Sequence, residues 1–95
     1  IGRIGGEEFA ICSPHADLDG AYILAERIRS TCEGLPLRYN EHTFSLTLSI
    51  GLTDVGYGED FESALQRADN LLYQAKNSGR NKIVTSGKNP QLRIR

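Results

Sequence analysis

The sequence predicts an α+β domain built on an antiparallel sheet with amphipathic helices, and three observations carry that prediction. Residues 44–52 alternate apolar and small polar side chains with a strict period of two, the mark of a strand with one face on a core. Two other segments, starting near Asp17 and Asp60, repeat their apolar residues every three or four positions, which is the spacing of a helix face. Gly5-Gly6 and Asn40-Glu41 each separate strand-like runs, and such breaks signal tight antiparallel hairpins. The helices are expected to cover one sheet face or to be divided between both.

Each element has its own reason. Ile1 to Ile4 reads as the end of a strand, and Phe9-Ala10-Ile11-Cys12 is a short apolar run closed by Ser13-Pro14. Glycine reaches positive φ without steric conflict, so Gly5-Gly6 between them predicts a hairpin with acids at its tip. Leu18, Ala21, Ala25, Ile28, Cys32 and Leu35 line one face of a first helix, with Asp17 as N-cap and Gly34 as its stop. Leu37 to Tyr39 leads through Asn40-Glu41-His42 into the alternating strand 44–52. Residues 54–60 form a polar connection, and Asp60 can cap a second helix whose apolar face is Phe61, Ala64, Leu65, Ala68, Leu72 and Ala75. Asn77-Ser78-Gly79 ends that helix, Lys82 to Thr85 is a last short strand, and Ser86 onward departs from the fold. The expected organisation is one domain over residues 1–85 and a basic tail over 86–95.

Composition bounds the function classes. The chain has 95 residues, 39% of them hydrophobic, with a formal net charge of −1, which suits one small folded domain and not a disordered segment. No apolar run approaches the about 20 residues of a membrane-spanning helix, and the first residues given do not follow a charged-then-apolar signal pattern. Methionine is absent even from position 1, so a fragment of a longer reading frame is expected. Cys12 and Cys32 have no companions at metal-ligand spacing and are expected to be reduced and buried, as in a cytoplasmic protein. All the acids precede residue 76, whereas Lys76, Arg80, Lys82, Lys88, Arg93 and Arg95 follow without one. Lys88, Arg93 and Arg95 read as a solvated tail, and no nucleic-acid partner is expected.

Two places can carry chemistry. At Gly5-Gly6-Glu7-Glu8 the missing side chains would let a ligand lie against the main chain beside two carboxylates, although such a turn can equally be a solvated hairpin tip. Successive residues of a strand point to opposite faces, so Glu7 and Glu8 should not chelate the same ion. Lys76 and Arg80, four apart at a helix end, share a face and can grip a polyphosphate, the guanidinium with two prongs and the ammonium as a point charge. The alternative for these cations is a favourable interaction with the negative end of the helix dipole.

Arg3-Ile4-Gly5-Gly6-Glu7-Glu8-Phe9, then Leu48-Ser49-Ile50-Gly51, then the run from Ala68 through Lys76 and Arg80 to Asn81 together resemble the GGDEF domain of bacterial diguanylate cyclases. The resemblance covers nearly all of residues 1–85 and implies a nucleotide-cyclase-like GGDEF fold truncated at its N-terminal side. It implies condensation of two GTP molecules into cyclic di-GMP with release of pyrophosphate, in a homodimer whose subunits each hold one GTP. By the same resemblance Glu7 is a metal ligand and the catalytic carboxylate that assists deprotonation of the attacking 3′-hydroxyl. Gly5 and Gly6 form the turn under the nucleotide, Glu8 is the fourth residue of the motif at the substrate, and Lys76 and Arg80 contact the terminal phosphates. Mg²⁺ is the implied cofactor, with Mn²⁺ as its substitute.

Other positions are assigned lesser roles. Tyr73 is expected to be buried with its hydroxyl bonded, Arg3 to support the turn, and Ser49 to be a hydroxyl at the core edge. Arg27 or Arg29 resembles a secondary product-binding arginine of feedback-inhibited members. His15 and His42 fall in predicted loops with no ligand set and receive neither a metal nor a proton. The family's second metal-binding aspartate and guanine-recognising residues would precede Ile1, so the chain alone is expected to be inactive. The parent is expected in the cytoplasm, driven by an upstream sensory or receiver domain, and an upstream membrane tether is compatible with this. Two alternatives remain: a catalytically inactive GGDEF-like module that binds GTP or cyclic di-GMP to regulate a neighbour, or an interaction module that uses its sheet edge.

Overall fold

The computed structural model describes residues 2–86, with side chains from residue 6 onward. The tail cations Lys88, Arg93 and Arg95, and the supporting role of the Arg3 side chain, lie outside the described residues. The element order is β1 (Gly2–Pro14), a 3-10 turn (His15–Asp17), α1 (Leu18–Gly34), β2 (Leu37–Tyr39), β3 (His42–Val55), α2 (Phe61–Asn77) and β4 (Ile83–Thr85). The class is α+β, as the sequence predicts, with β3 at the centre of a four-stranded sheet.

Pairing differs in part from the sequence expectation. β2 and β3 form the expected antiparallel hairpin, with Tyr39 opposite His42. Its two-residue turn places Asn40 at φ 51° and Glu41 at φ 71°, the doubly left-handed geometry that follows strand twist. β1 and β4, however, run parallel to β3. Parallel neighbours need a long crossover, and α1 and α2 supply the two crossovers. Gly5-Gly6 is accordingly no hairpin tip: β1 runs through it as one strand, with a register shift between Arg3 and Gly5. Glu7 and Glu8 therefore stand within a strand, opposite Leu48 and Ser49.

The strict alternation of β3 has a different cause from the one expected. Residues 47–53 are all buried, on both faces. On one face Leu48, Ile50 and Leu52 form the core with Leu18, Tyr22 and Ala25 of α1. On the other, Thr47, Ser49, Gly51 and Thr53 are small because α2 lies almost on the strand. A Cβ built on Gly51 would stand 2.2 Å from the Ala68 carbonyl oxygen and 2.3 Å from the Leu72 nitrogen. Ala64, Ala68, Leu71 and Ala75 of α2 are buried, and three of them are alanines, as so close a contact requires. The helices are thus divided between the two sheet faces.

Several expected core positions shift. Ile28 and Leu35 are exposed, and Tyr22 takes the buried place on α1. On α2, Leu71 is buried, whereas Phe61, Leu65 and Tyr73 are exposed. Tyr73 is thus not the buried hydroxyl expected, because the α2 face that meets β3 is the alanine stripe and Tyr73 lies off it. Asp60 caps α2 as predicted, accepting from the Ser63 N–H at 2.7 Å. Asp17 occupies the N-cap of α1 but makes no capping hydrogen bond. Gly34 is the last residue inside α1 and does not terminate it in a left-handed conformation. Both cysteines are free thiols and half-buried.

The Gly51 approach makes a direct prediction. Gly51→Ala should destabilise the fold by about 1–3 kcal/mol or more, because backbone atoms of α2 must move. Gly20→Ala, in α1 with no atom within 4 Å of the new Cβ, should instead stabilise by about 0.5–1 kcal/mol. Urea denaturation midpoints of the two variants should move in opposite directions.

Candidate functional site

Residues 76–80 come together with β1 because α2 crosses β3 next to Ser49 and Gly51. In the parallel register Glu8 stands beside Ser49, so its side chain shares the face that carries α2. Glu7, beside Leu48, points to the other face. Lys76 sits in the last turn of α2, where its charge also opposes the helix dipole. Its Nζ lies 3.3 Å from Glu8 Oε1, and an Arg80 terminal nitrogen lies 3.2 Å from Glu8 Oε2. One carboxylate is held between two cations that leave α2 by different routes.

Those routes differ because the helix ends at Asn77. Arg80 is not on its final turn but beyond it, at φ 62°, between Gly79 at φ 114° and Asn81 at φ 52°. The Arg80 N–H donates to the Ala75 carbonyl at 2.9 Å, and the Asn81 N–H donates to Ser49 Oγ at 3.1 Å. Ser49 is thus the hydroxyl at the core edge that the sequence suggests. The Asn81 side chain reaches the opposite layer, where its Oδ1 accepts from an Arg29 terminal nitrogen at 2.8 Å and its Nδ2 donates to Glu33 Oε2 at 2.8 Å.

Arg29 is tied down: it also donates to both Glu26 oxygens at 2.9 and 2.6 Å and pairs with Glu33 at 3.2 Å. Its side chain is 14% exposed, and it is committed to holding structure. Arg27 is exposed. A cleft of about 600 Å³ lies over this cluster, lined by Tyr22, Glu26, Arg29, Glu33 and Asn81 among others; Glu8, Lys76 and Arg80 are not among its lining residues.

The far end of the sheet is held by a second set of charges. Arg67 on α2 pairs with Glu59 through two bonds of 2.8 and 2.9 Å, and also donates to Thr53 Oγ1 and the Asp54 carbonyl. Arg67 and the Gly56 N–H hold the Glu59 carboxyl down to about 2. His15 lies in the 3-10 turn against Asp54, which it holds below the usual aspartate range. His42 opens β3 with its ring 6.1 Å from that of Phe44. Among the described residues no group of three His, Cys, Asp or Glu side chains could hold a metal ion.

The structure therefore gathers Glu8, Lys76 and Arg80. Gly5 and Gly6 lie on β1 opposite Leu46 and Thr47, two residues before Glu7 and Glu8 respectively. Glu7 is exposed and forms no ion pair with a described residue. Asn81 is the participant that sequence reasoning missed. Its signal is the run Gly79-Arg80-Asn81, in which asparagine is one of the few side chains that tolerate a left-handed backbone.

Lys76 and then Arg80 hold the Glu8 carboxyl below its ordinary value of 4.5. A depressed carboxylate stabilises the fold above the unfolded value and loses that contribution as pH falls through the folded one. Carbon-detected NMR of the Glu8 carboxyl should give a midpoint below 4.5, rising in Lys76→Ala. A wild-type midpoint at or above 4.5 would show that the two cations do not engage it.

Residues 1–82 match the family described as "Diguanylate cyclase, GGDEF domain". The chain is 42% identical over 85 residues to Diguanylate cyclase VdcA of Vibrio cholerae, covering 86% of the chain and 25% of that protein. It is likewise 42% identical over 85 residues to Response regulator PleD of Caulobacter vibrioides, covering 86% of the chain and 19% of that protein. Diguanylate cyclase A of Treponema denticola is 38% identical over 90 residues, covering 92% of the chain and 24% of that protein. No solved structure matches the chain. The chain thus spans about a quarter or less of these relatives' length, and over that span it belongs to the GGDEF domain family of diguanylate cyclases.

Proposed function

We propose that the protein carrying this chain condenses two GTP molecules into cyclic di-GMP, and that the Glu8–Lys76–Arg80 cluster is the seat of the GTP phosphates. The observation that carries this reading is the convergence of Lys76 and Arg80, at 3.3 and 3.2 Å, on a single acidic group. A carboxylate there occupies the place of an anion, and a phosphate can take over both contacts, Arg80 binding in a two-pronged manner. Family membership and relatives named as diguanylate cyclases support the same reaction.

In the reaction the 3′-oxygen of each GTP bonds in turn to the α-phosphorus of the other, and at each phosphorus the bond to the bridging oxygen breaks, so two phosphodiester bonds form and two pyrophosphates are released. Pyrophosphate leaves with the electron pair. Lys76 and Arg80 hold the terminal phosphates and spread the charge that develops on the leaving group. Gly5 and Gly6 let the nucleotide approach the main chain of β1. Glu7, uncommitted to any described cation, takes the proton of the 3′-hydroxyl.

The family uses a divalent metal, and Mg²⁺, or Mn²⁺ in its place, suits oxygen ligands of this kind. The described residues fit it as contributors and not as a closed cage, since Glu7 supplies one exposed carboxylate and no three-residue group is present among them. When bound beside Glu7, the ion supplies charge neutralisation at the phosphates. Each GTP belongs to one protomer of a homodimer, so that the two nucleotides face each other. That one relative is a response regulator supports control by an upstream domain. No described helix is long and apolar enough to cross a membrane, and the nucleotide substrate points to a cytoplasmic domain.

In the full-length protein, Glu7→Gln keeps the size of the side chain and removes the charge. It should lower cyclic di-GMP formation by about 100-fold or more, read by mass spectrometry. The 95-residue chain alone should form none, since among the described residues no group of three His, Cys, Asp or Glu side chains could hold the metal. Unchanged turnover in Glu7→Gln would remove Glu7 from the chemistry, whereas GTP binding without product in the wild type would instead support a regulatory, non-catalytic module.

A further inference from the structure

We infer that Asn81 is a positioning residue for Arg80, bridging α1 and β3 to hold the left-handed backbone that aims the guanidinium at the phosphate seat. The inference rests on the reading of that seat given above. Gly79, Arg80 and Asn81 all have positive φ, at 114°, 62° and 52°, and only the first is glycine. An arginine in this region is disfavoured by its own Cβ, so the conformation persists only where the surroundings enforce it. The Arg80 guanidinium bonds only Glu8 among the described residues, so its direction is set chiefly by the backbone that carries it.

The enforcement comes through Asn81 from two sides of the sheet. Its N–H donates to Ser49 Oγ at 3.1 Å on the α2 face, and the Ile50 N–H on β3 binds the Lys82 carbonyl at 2.9 Å just beyond. Its side chain crosses to α1, where Oδ1 accepts from Arg29 and Nδ2 donates to Glu33, each at 2.8 Å. An amide is the group for this place, because it offers an acceptor to a cation and a donor to an anion at once. Aspartate would set a second carboxylate against Glu33. Arg29 is fixed by Glu26 and Glu33, so the anchor is rigid on the α1 side. Charges on a helix on the far side of the sheet thereby act on the phosphates through one residue.

The test is made in the full-length protein, with magnesium tripolyphosphate as probe and calorimetry as readout. Asn81→Gly keeps the left-handed backbone accessible and deletes the bridge. It should weaken binding about tenfold, close to the loss in Arg80→Ala, as expected for losing one charge-assisted contact. The double variant should bind no more weakly than Arg80→Ala, since Asn81 acts only through Arg80. Arg29→Gln attacks the same bridge from α1 and should show the same non-additivity, which keeps the test available if Asn81→Gly fails to fold. Additive losses, or wild-type affinity in Asn81→Gly beside a weakened Arg80→Ala, would overturn the positioning role and leave the phosphate seat standing. Unchanged affinity in Arg80→Ala would overturn both, and would identify the seat itself as the error.

Discussion

The near-contact of α2 with β3 at Gly51 is the constraint on which the rest depends. No side chain can stand between the Gly51 backbone and the Ala68 carbonyl, so the helix lies as close to the strand as backbone atoms allow. That closeness needs small residues on both surfaces, and both have them: Thr47, Ser49, Gly51 and Thr53 on the strand, Ala64, Ala68 and Ala75 on the helix. It also fixes where the helix ends. Lys76 and Arg80 arrive over β1 beside Glu8 because α2 has no freedom to stand further off or to slide.

Charged clusters then pin the helix at its two ends. Near the start, Arg67 joins α2 to Glu59, Thr53 and the Asp54 carbonyl. Past the C-terminal end, Asn81 ties the exit from the helix to α1 and to Ser49. Glu8 stands apart from these. Its partners are a third to two-fifths exposed, so solvent screens the pairs and a more highly charged anion can displace the carboxylate. The rigid contacts are structural, and the loose one is the seat proposed for the phosphates.

Much of this was legible in the sequence, and the exceptions have physical causes. Both long helices, the Asp60 cap and the β2–β3 hairpin follow from local periodicity and turn chemistry. The odd positions of β3 were legible as small and polar, but only one face of the strand was read as lying on a core. A second helix resting on the other face demands the same small residues, and alternation alone cannot separate the two cases. Gly5-Gly6 read as a turn because glycine permits one, yet it equally permits an extended strand. On α1 the buried face runs through Leu18, Tyr22 and Ala25, with Cys32 packed at its margin, and Ile28 lies off it. At the site, the spacing of Lys76 and Arg80 pointed to a shared target, which Glu8 occupies, although Arg80 reaches it from outside the helix. Asn81 was invisible as a bridge because its partners Arg29 and Glu33 lie 52 and 48 residues earlier.

In the proposed function Lys76 and Arg80 exchange the Glu8 carboxylate for phosphate. A crystal structure of the full-length protein with a non-reactive GTP analogue tests this most directly. Both cations should be found on the terminal phosphate oxygens, with Glu8 released from at least one of them. A triphosphate bound elsewhere on the domain, with Lys76 and Arg80 still closed on Glu8, would contradict it.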